Sequence, residues 1–296
     1  MRSSYRIYIL LLGVLLLASC ANRGMGPQGG PRDTIPPAIV KEEPLSGSLN
    51  MQSKKLEITF DEYIQLNDIQ NNVLISPPQQ TPPEIKAIGK KLSVDFMDEL
   101  QDSTTYTIDF GAAICDYNEK TPLEGYVYSF STGDHIDSLS IAGRVYNAAN
   151  LNPLPSILVG IHANHNDTAL NTLPFTRVTR SNSEGYFTIY NIRKGDYRMY
   201  ALNDISRDYI YQPGEGLAFD DSIVTPYAIN HIHADTLWRD TIGVDILTGD
   251  TLFTRLVDSI HTDIHTEYLP DSIVMWYFEE NKQKHYFQRL LRENQH

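Results

Sequence analysis

Lys55-Leu56-Glu57-Ile58-Thr59-Phe60 sets Leu, Ile and Phe at every second position between Lys, Glu and Thr. Side chains of an extended chain point alternately to opposite faces, so this stretch is a strand with one apolar and one wet face. The same period returns at Leu92, Val94 and Phe96, at Tyr106, Ile108 and Phe110, and at Tyr126, Tyr128 and Phe130. Pro44 to Gly47, Pro77-Pro78 and Gly89 interrupt these runs where the chain must turn. Strands this short and this regularly broken predict an all-β fold, with a β-sandwich of about seven strands over residues 38–133. Little helix is expected beyond a turn near Asp68 to Asn72.

A second alternating set follows the polar link from Asp134 to Ser138: Leu139, Ile141 and Val145, then an apolar run from Ile157 to Ile161. Asn182 to Ala201 reads as a hairpin, with Phe187 and Ile189 answering Tyr197 and Met199, and with Gly185 and Gly195 suited to the positive φ of tight turns. The fold class expected is therefore two tandem β-sandwiches, the second over residues 138–222.

The amino terminus carries a different pattern. Arg2 and Arg6 precede an apolar run from Ile7 to Leu17, and Leu17-Ala18-Ser19-Cys20 follows, the order of charge, apolar core and small residues of an export signal. The run is too short to span a bilayer, which takes about 20 apolar residues. Residues 1–19 are read as a signal peptide and residues 20–37, rich in Gly and Pro, as a flexible tether. No strand precedes those glycines and no Gly-Lys-Ser/Thr follows, which removes a phosphate-loop reading. The chain bears 24 basic and 37 acidic side chains, and without the signal's two arginines 22 remain against 37, a balance of −15. Such a body repels nucleic acid and anionic lipid, so no nucleic-acid partner is expected. Cys115 has no cysteine to pair with once Cys20 is modified, and reads as a small buried residue.

Three resemblances rest on these residues. The Leu17-Ala18-Ser19-Cys20 box resembles that of bacterial lipoproteins, which implies a palmitate-type lipid on Cys20 as the only covalent group and a membrane partner held through that anchor. Ala21 in place of Asp after the cysteine is similar to the outer-membrane sorting pattern, and Asn22 to Gly26 lacks the acidic cluster of a surface-export signal. The implied location is the periplasmic leaflet of the outer membrane. Asp33-Thr34-Ile35-Pro36-Pro37, Lys55 to Tyr63, Thr104 to Gly111 and Tyr128 to Gly133 resemble a bacterial Ig-like domain of the SbsA type. Asn182 to Ala201 resembles the carboxypeptidase-regulatory-like domain, a transthyretin-like sandwich. The whole arrangement is similar to Bacteroidetes-type outer-membrane lipoproteins. No catalytic residues come with it. A zinc carboxypeptidase needs His-x-x-Glu, which no His of this chain provides, and the hydroxyisourate hydrolases end in Tyr-Arg-Gly-Ser where this chain has Arg292 to His296.

Candidate sites follow. Asp204, Ser206, Asp208 and Glu215 occupy positions one, three, five and twelve of a calcium-loop template, but Tyr209 stands where the template wants Gly and Arg207 adds positive charge. Calcium at this loop is weighed against a plain acidic loop facing water. His231 and His233 share a face if their segment is extended, and His261 and His265 if theirs is helical, but the segments read as extended and Thr-rich and no Cys or Glu completes a tetrahedral zinc set. His162 and His165 are expected to face water. Glu42-Glu43 and Asp220-Asp221 would point apart, unlike a cooperating acid and base, and no Gly-x-Ser-x-Gly elbow exposes a nucleophile.

From Ile223 the texture changes. Asp235, Asp240, Asp245 and Asp250 recur every five residues, Ser272 to Phe278 reads as a strand, and Lys282 to Arg292 as a basic helix or tail. Residues 223–296 are expected to be a connector with an incomplete or docking carboxy-terminal segment. The function expected is a non-enzymatic, membrane-anchored envelope lipoprotein that binds a partner protein or spaces other parts. The alternative is a glycan- or peptide-binding lipoprotein with Tyr186 and Tyr197 as an aromatic platform.

Overall fold

The computed structural model of the chain describes residues 33–244 and 247–279. The signal segment, Cys20, most of the tether, Asp245 and the basic stretch from Lys282 to Arg292 lie outside the described residues.

The first body is built from β1 (Ile39–Glu43), β2 (Lys55–Phe60), β3 (Ile64–Leu66), helix α1 (Ile69–Asn72), β4 (Leu74–Ser76), β5 (Glu84–Ile88), β6 (Lys91–Asp95), β7 (Thr105–Asp109), β8 (Ile114–Asp116) and β9 (Val127–Ser131). An antiparallel sheet of order β1-β2-β6-β5 and another of order β4-β7-β9 bury their apolar sides in one core, with β3 and β8 paired as a small third sheet. Leu56, Ile58 and Phe60 are buried in that core as their alternation predicts. Tyr106 stacks on Phe130 at 5.1 Å between ring centres, and Phe96 meets Phe130 edge-on at 5.8 Å. Such aromatic pairs add to the area they bury. Two strands more than expected are present because β3 and β8 have three residues each, too short to display a period.

The second body contains β10 (Leu139–Asn147), β11 (Leu158–His162), helix α2 (Ala169–Thr172), β12 (Arg177–Arg180), β13 (Tyr186–Ile192), β14 (Arg198–Leu202), β15 (Leu217–Phe219), β16 (Tyr227–Val244), β17 (Thr251–Leu269) and β18 (Ile273–Tyr277). Sheets β13-β10-β18 and β12-β11-β14-β15 bury Ile141, Val159, Phe187, Met199, Met275 and Tyr277 in a second core. Gly185 takes the positive φ expected of it, +78°, whereas the corresponding left-handed residue near the other turn is Asn191 at +57°, not Gly195.

After Ile223 the chain forms a paired ribbon and then β18, which docks. β18 is not left unpaired: it lies parallel to β10, from Gly143 opposite Ile273 to Asn147 opposite Tyr277, and sends Met275 and Tyr277 into the core. Gly143 permits this approach, since a Cβ there would sit 2.2 Å from the Ile273 carbonyl oxygen. Between β15 and β18 the chain runs out and back as one long ribbon. β16 and β17 pair antiparallel from Tyr227 opposite Leu269 to Val244 opposite Thr251, and among the described residues no third strand joins them. Their register shifts once, where Asp258 is extra between the pairs Leu237–Ser259 and Trp238–Val257, a bulge. Gly249, with φ +75°, lies in the turn that joins them.

Candidate functional site

Three places concentrate chemistry: the junction of the two bodies, an aromatic strip on the second, and the ribbon. At the junction Asp137 is the centre. Its side chain is 5% exposed and that of Arg177 7%, with Arg177 Nη2 3.7 Å from Asp137 Oδ2. The half-exposed Arg193 comes within 3.4 Å of the other carboxylate oxygen and also donates to the Ser103 carbonyl. Thr105 ties in the first body, its hydroxyl donating to Asp137 Oδ2 at 3.2 Å and accepting from the Asp137 amide at 2.9 Å. Burial lowers the Arg177 pKa, and the Asp137 carboxylate beside it pushes the other way. Asn191 donates to the Thr107 hydroxyl at 2.8 Å, the Val178 amide to the Ser76 hydroxyl at 3.1 Å, and Leu74 packs with Leu158, Phe175 and Val178. This is a fixed joint with an ionic centre and an apolar patch.

Beside it a cavity of about 580 Å³ is lined by Ile69, Val73, Ile75, Pro83, Arg207 and Tyr209 among others. Arg207 spends its guanidinium on Gln70 Oε1 at 2.8 Å and Asn71 Oδ1 at 2.9 Å, holding loop to loop.

The calcium-template residues fall in that loop, and their oxygens are taken up by the loop itself. Asp204 accepts from the Arg207 and Tyr209 amides and from the Ser206 hydroxyl, Asp208 from the Ile210 amide and Gln212, and Glu215 from the Ile205 and Gln212 amides. Among the described residues no three His, Cys, Asp or Glu side chains are grouped so as to hold a metal ion.

Three single-residue expectations are corrected. His162 does not face water: it is buried against Phe175 and Tyr200, and burial lowers its pKa to about 4. Glu42 is not merely solvated charge, since it accepts from the Tyr126 hydroxyl at 2.7 Å and from the Ser46 amide at 2.8 Å. Tyr197 is buried, its hydroxyl donating to the Arg193 carbonyl at 2.8 Å, and cannot offer a platform. Cys115, by contrast, is buried as expected and free, and burial raises its thiol pKa.

Tyr186 does stand on an exposed aromatic strip, with partners the sequence reading did not name. Arg144 lies 4.0 Å over its ring and 5.3 Å from that of Tyr146, and Tyr146 meets Trp276 at 5.5 Å. Tyr186 and Trp276 are both about half exposed. The parallel pairing of β18 with β10 is what sets Trp276 beside Tyr146.

On the ribbon the register decides everything. His231 lies opposite His265, His233 opposite Asp263 and Asp235 opposite His261, so imidazoles expected on separate elements share one face. Glu267 closes on His231 at 2.7 Å on the same face. The other face carries Ile232 opposite Ile264, Trp238 opposite Val257, and Ile242 and Ile260 at intervening pairs, every one of these six more than half exposed. Its charged pair, Asp240 with Arg255, is closed at 2.9 Å.

Residues 33–132 match the family model of the bacterial Ig-like domain. This segment is a bacterial Ig-like domain. Comparison with curated proteins found no match. Solved structures similar to the chain include the L,D-transpeptidase from Mycobacterium smegmatis, at 9% identity and TM-score 0.24 over 77% of each chain. The N-terminal part of the bacterial S-layer protein SbsC is similar at 13% identity and TM-score 0.23 over 56% of this chain and 40% of that one. The T6 backbone pilin of Streptococcus pyogenes is similar at 12% identity and TM-score 0.21 over 83% of this chain and 67% of that one.

The Ig-like domain thus contributes Thr105, Thr107, Ser76 and Leu74 to the joint, and the chain beyond it contributes Asp137, Arg177 and Arg193. The sequence reading passed over all three charged residues. Asp137 lay in what looked like a plain polar link after the Ig-like domain, and its partners stand 40 and 56 positions further on.

Proposed function

We propose that this protein is a non-enzymatic envelope lipoprotein, anchored through lipid on Cys20 to the periplasmic leaflet of the outer membrane, that works as a stiff spacer presenting the β16–β17 ribbon as an interaction arm. One observation carries this reading. Two strands of 18 and 19 residues extend with hardly a buried side chain among those described, and so contribute almost nothing to the core they leave and rejoin. A two-stranded ribbon alone is marginal in water, and six large apolar side chains on one face give it something to dock. The joint at Asp137 supports the spacer part, because a buried ion pair and an apolar patch hold both bodies in one arrangement. In-cell photo-crosslinking from ribbon positions, followed by affinity capture, tests the reading. Discrete adducts from ribbon positions are expected, together with affinity capture of the same partner by the parent that is lost when residues 229–267 are replaced by a short turn. No adduct from the ribbon, or capture unchanged by that excision, would remove the arm from the account.

The strip of Tyr186, Arg144, Tyr146 and Trp276 favours a second reading, glycan binding, since aromatic faces take the apolar C–H face of a sugar ring and an arginine takes its hydroxyls. A glycan array probed with the parent and with Trp276→Ala would show a signal lost in the variant, and no signal with either retires it.

A further inference from the structure

We infer that the apolar face of the ribbon is a self-association surface, on which the same face of a second copy of this chain packs to make a four-stranded, two-layer sandwich. This rests on the proposed reading of the ribbon as an interaction arm, and names what the arm holds.

The face is defined by parity. Positions Ala228, Ile232, Ala234, Trp238 and Ile242 on β16 alternate with His231, His233 and Asp235, and the register carries Ile264, Ile260 and Val257 of β17 onto the same side. The bulge at Asp258 keeps that side continuous, because two residues there oppose one and Val257 returns to the face of Trp238. The opposite face holds four histidines and three carboxylates along most of its length, with Leu237 and Leu256 beside the bulge. Such a ribbon needs a cover on one side only, and sheets cover one another face to face at about 10 Å.

Area and charge point to a second copy as the cover. Eighteen residues at about 3.3 Å each and two strands about 4.8 Å apart give a face of roughly 60 by 10 Å, about 600 Å² per copy and about 1,200 Å² for a pair. That meets the lower bound of stable interfaces, about 1,200–2,000 Å². Its charged pair is neutralised within the face, so two such faces meet without an unpaired charge, although each chain carries −13 overall. The same net charge opposes insertion into an acidic lipid surface. Trp238 lies near the middle of the face, where a large aromatic contributes most to binding. A two-fold arrangement brings the same residues of both copies together, and confinement to one membrane leaflet raises the local concentration of the partner.

Two variants of the full chain separate the faces. Ala234→Cys puts a thiol on the apolar side and Asp235→Cys on the polar side, both at exposed positions, while Cys115 is buried. With a short bis-maleimide in intact cells, Ala234→Cys is expected to give a covalent dimer and Asp235→Cys none. In mild detergent the parent should scatter light as a dimer, and Ile232→Asp with Ile264→Asp should weaken association by at least about a hundredfold. A parent that stays monomeric, or dimers linked through Asp235→Cys, overturns the proposal. Linkage of Ala234→Cys to a different protein or to lipid overturns self-association while leaving the interaction arm standing. No linkage from any ribbon position overturns both.

Discussion

Replacing Asp137 by Asn tests the joint most directly. Asn keeps the shape of the carboxylate and removes its charge, leaving the Arg177 guanidinium 7% exposed with no anion beside it. At 3.7 Å and an effective dielectric constant of about 20, the attraction lost is roughly 4 to 5 kcal/mol. Part of that is offset, since Asn still accepts from Thr105 and the half-exposed Arg193 can turn to water, where exposed pairs contribute about 0 to 1 kcal/mol. Stranding one member of a buried pair costs about 3 to 5 kcal/mol. Asp137→Asn is therefore expected to lower unfolding free energy by about 3 kcal/mol. Urea melts read this best, because guanidinium would screen the pair.

The same reasoning fixes a control. If the loss comes from the stranded Arg177, then Arg177→Met in the Asp137→Asn background should restore most of it, because an apolar side chain in that space needs no counter-ion. The double variant would then be more stable than the single one. A loss below about 1 kcal/mol for Asp137→Asn, or a double variant no better than the single, would refute the account of the joint.

Three further outcomes are expected. Gly143→Ala should drive β18 away from β10, costing about 1 to 3 kcal/mol and removing hydrogen-exchange protection at Ile273 to Tyr277 while the Ig-like domain keeps its own. His162, whose folded pKa is depressed to about 4 by burial, contributes stability that is complete above its unfolded pKa of about 6.5 and is lost as pH falls toward 4, to a total of about 3 kcal/mol. His162→Phe should flatten that part of the profile between urea midpoints taken at about pH 7 and about pH 4.5. Cys20→Ser should abolish metabolic labelling with palmitate and release the protein from the outer-membrane fraction, and a labelled variant would contradict the anchor.

What the chain disclosed in advance follows from how far each signal reaches along it. Leu56, Ile58 and Phe60 announce a strand because alternation is written in six neighbouring residues, and burial on one face is all it requires. The partner of β18 is not written locally: Met275 and Tyr277 read as strand residues, but nothing near them says that Gly143 will accept them in parallel from more than a hundred positions away. The ribbon lies between these cases. Ile232, Ala234, Trp238 and Ile242 keep to even positions, although Thr236 and Asp240 interrupt them, and Thr248-Gly249-Asp250 is a turn signal. The five-residue recurrence of aspartates is the more conspicuous pattern there. Five is an odd interval, so Asp235 and Asp240 fall on opposite faces, and the recurrence carries no structural period. Once the turn is placed, the register follows, and with it the meeting of His231 with His265 and of Ile232 with Ile264. A strand this long with an apolar side is ordinarily read as core, because sequence alone does not say whether a second layer belongs to the same molecule. Here that layer is missing from the described residues, and the ribbon's alternation, legible from the start, becomes a statement about assembly instead of folding.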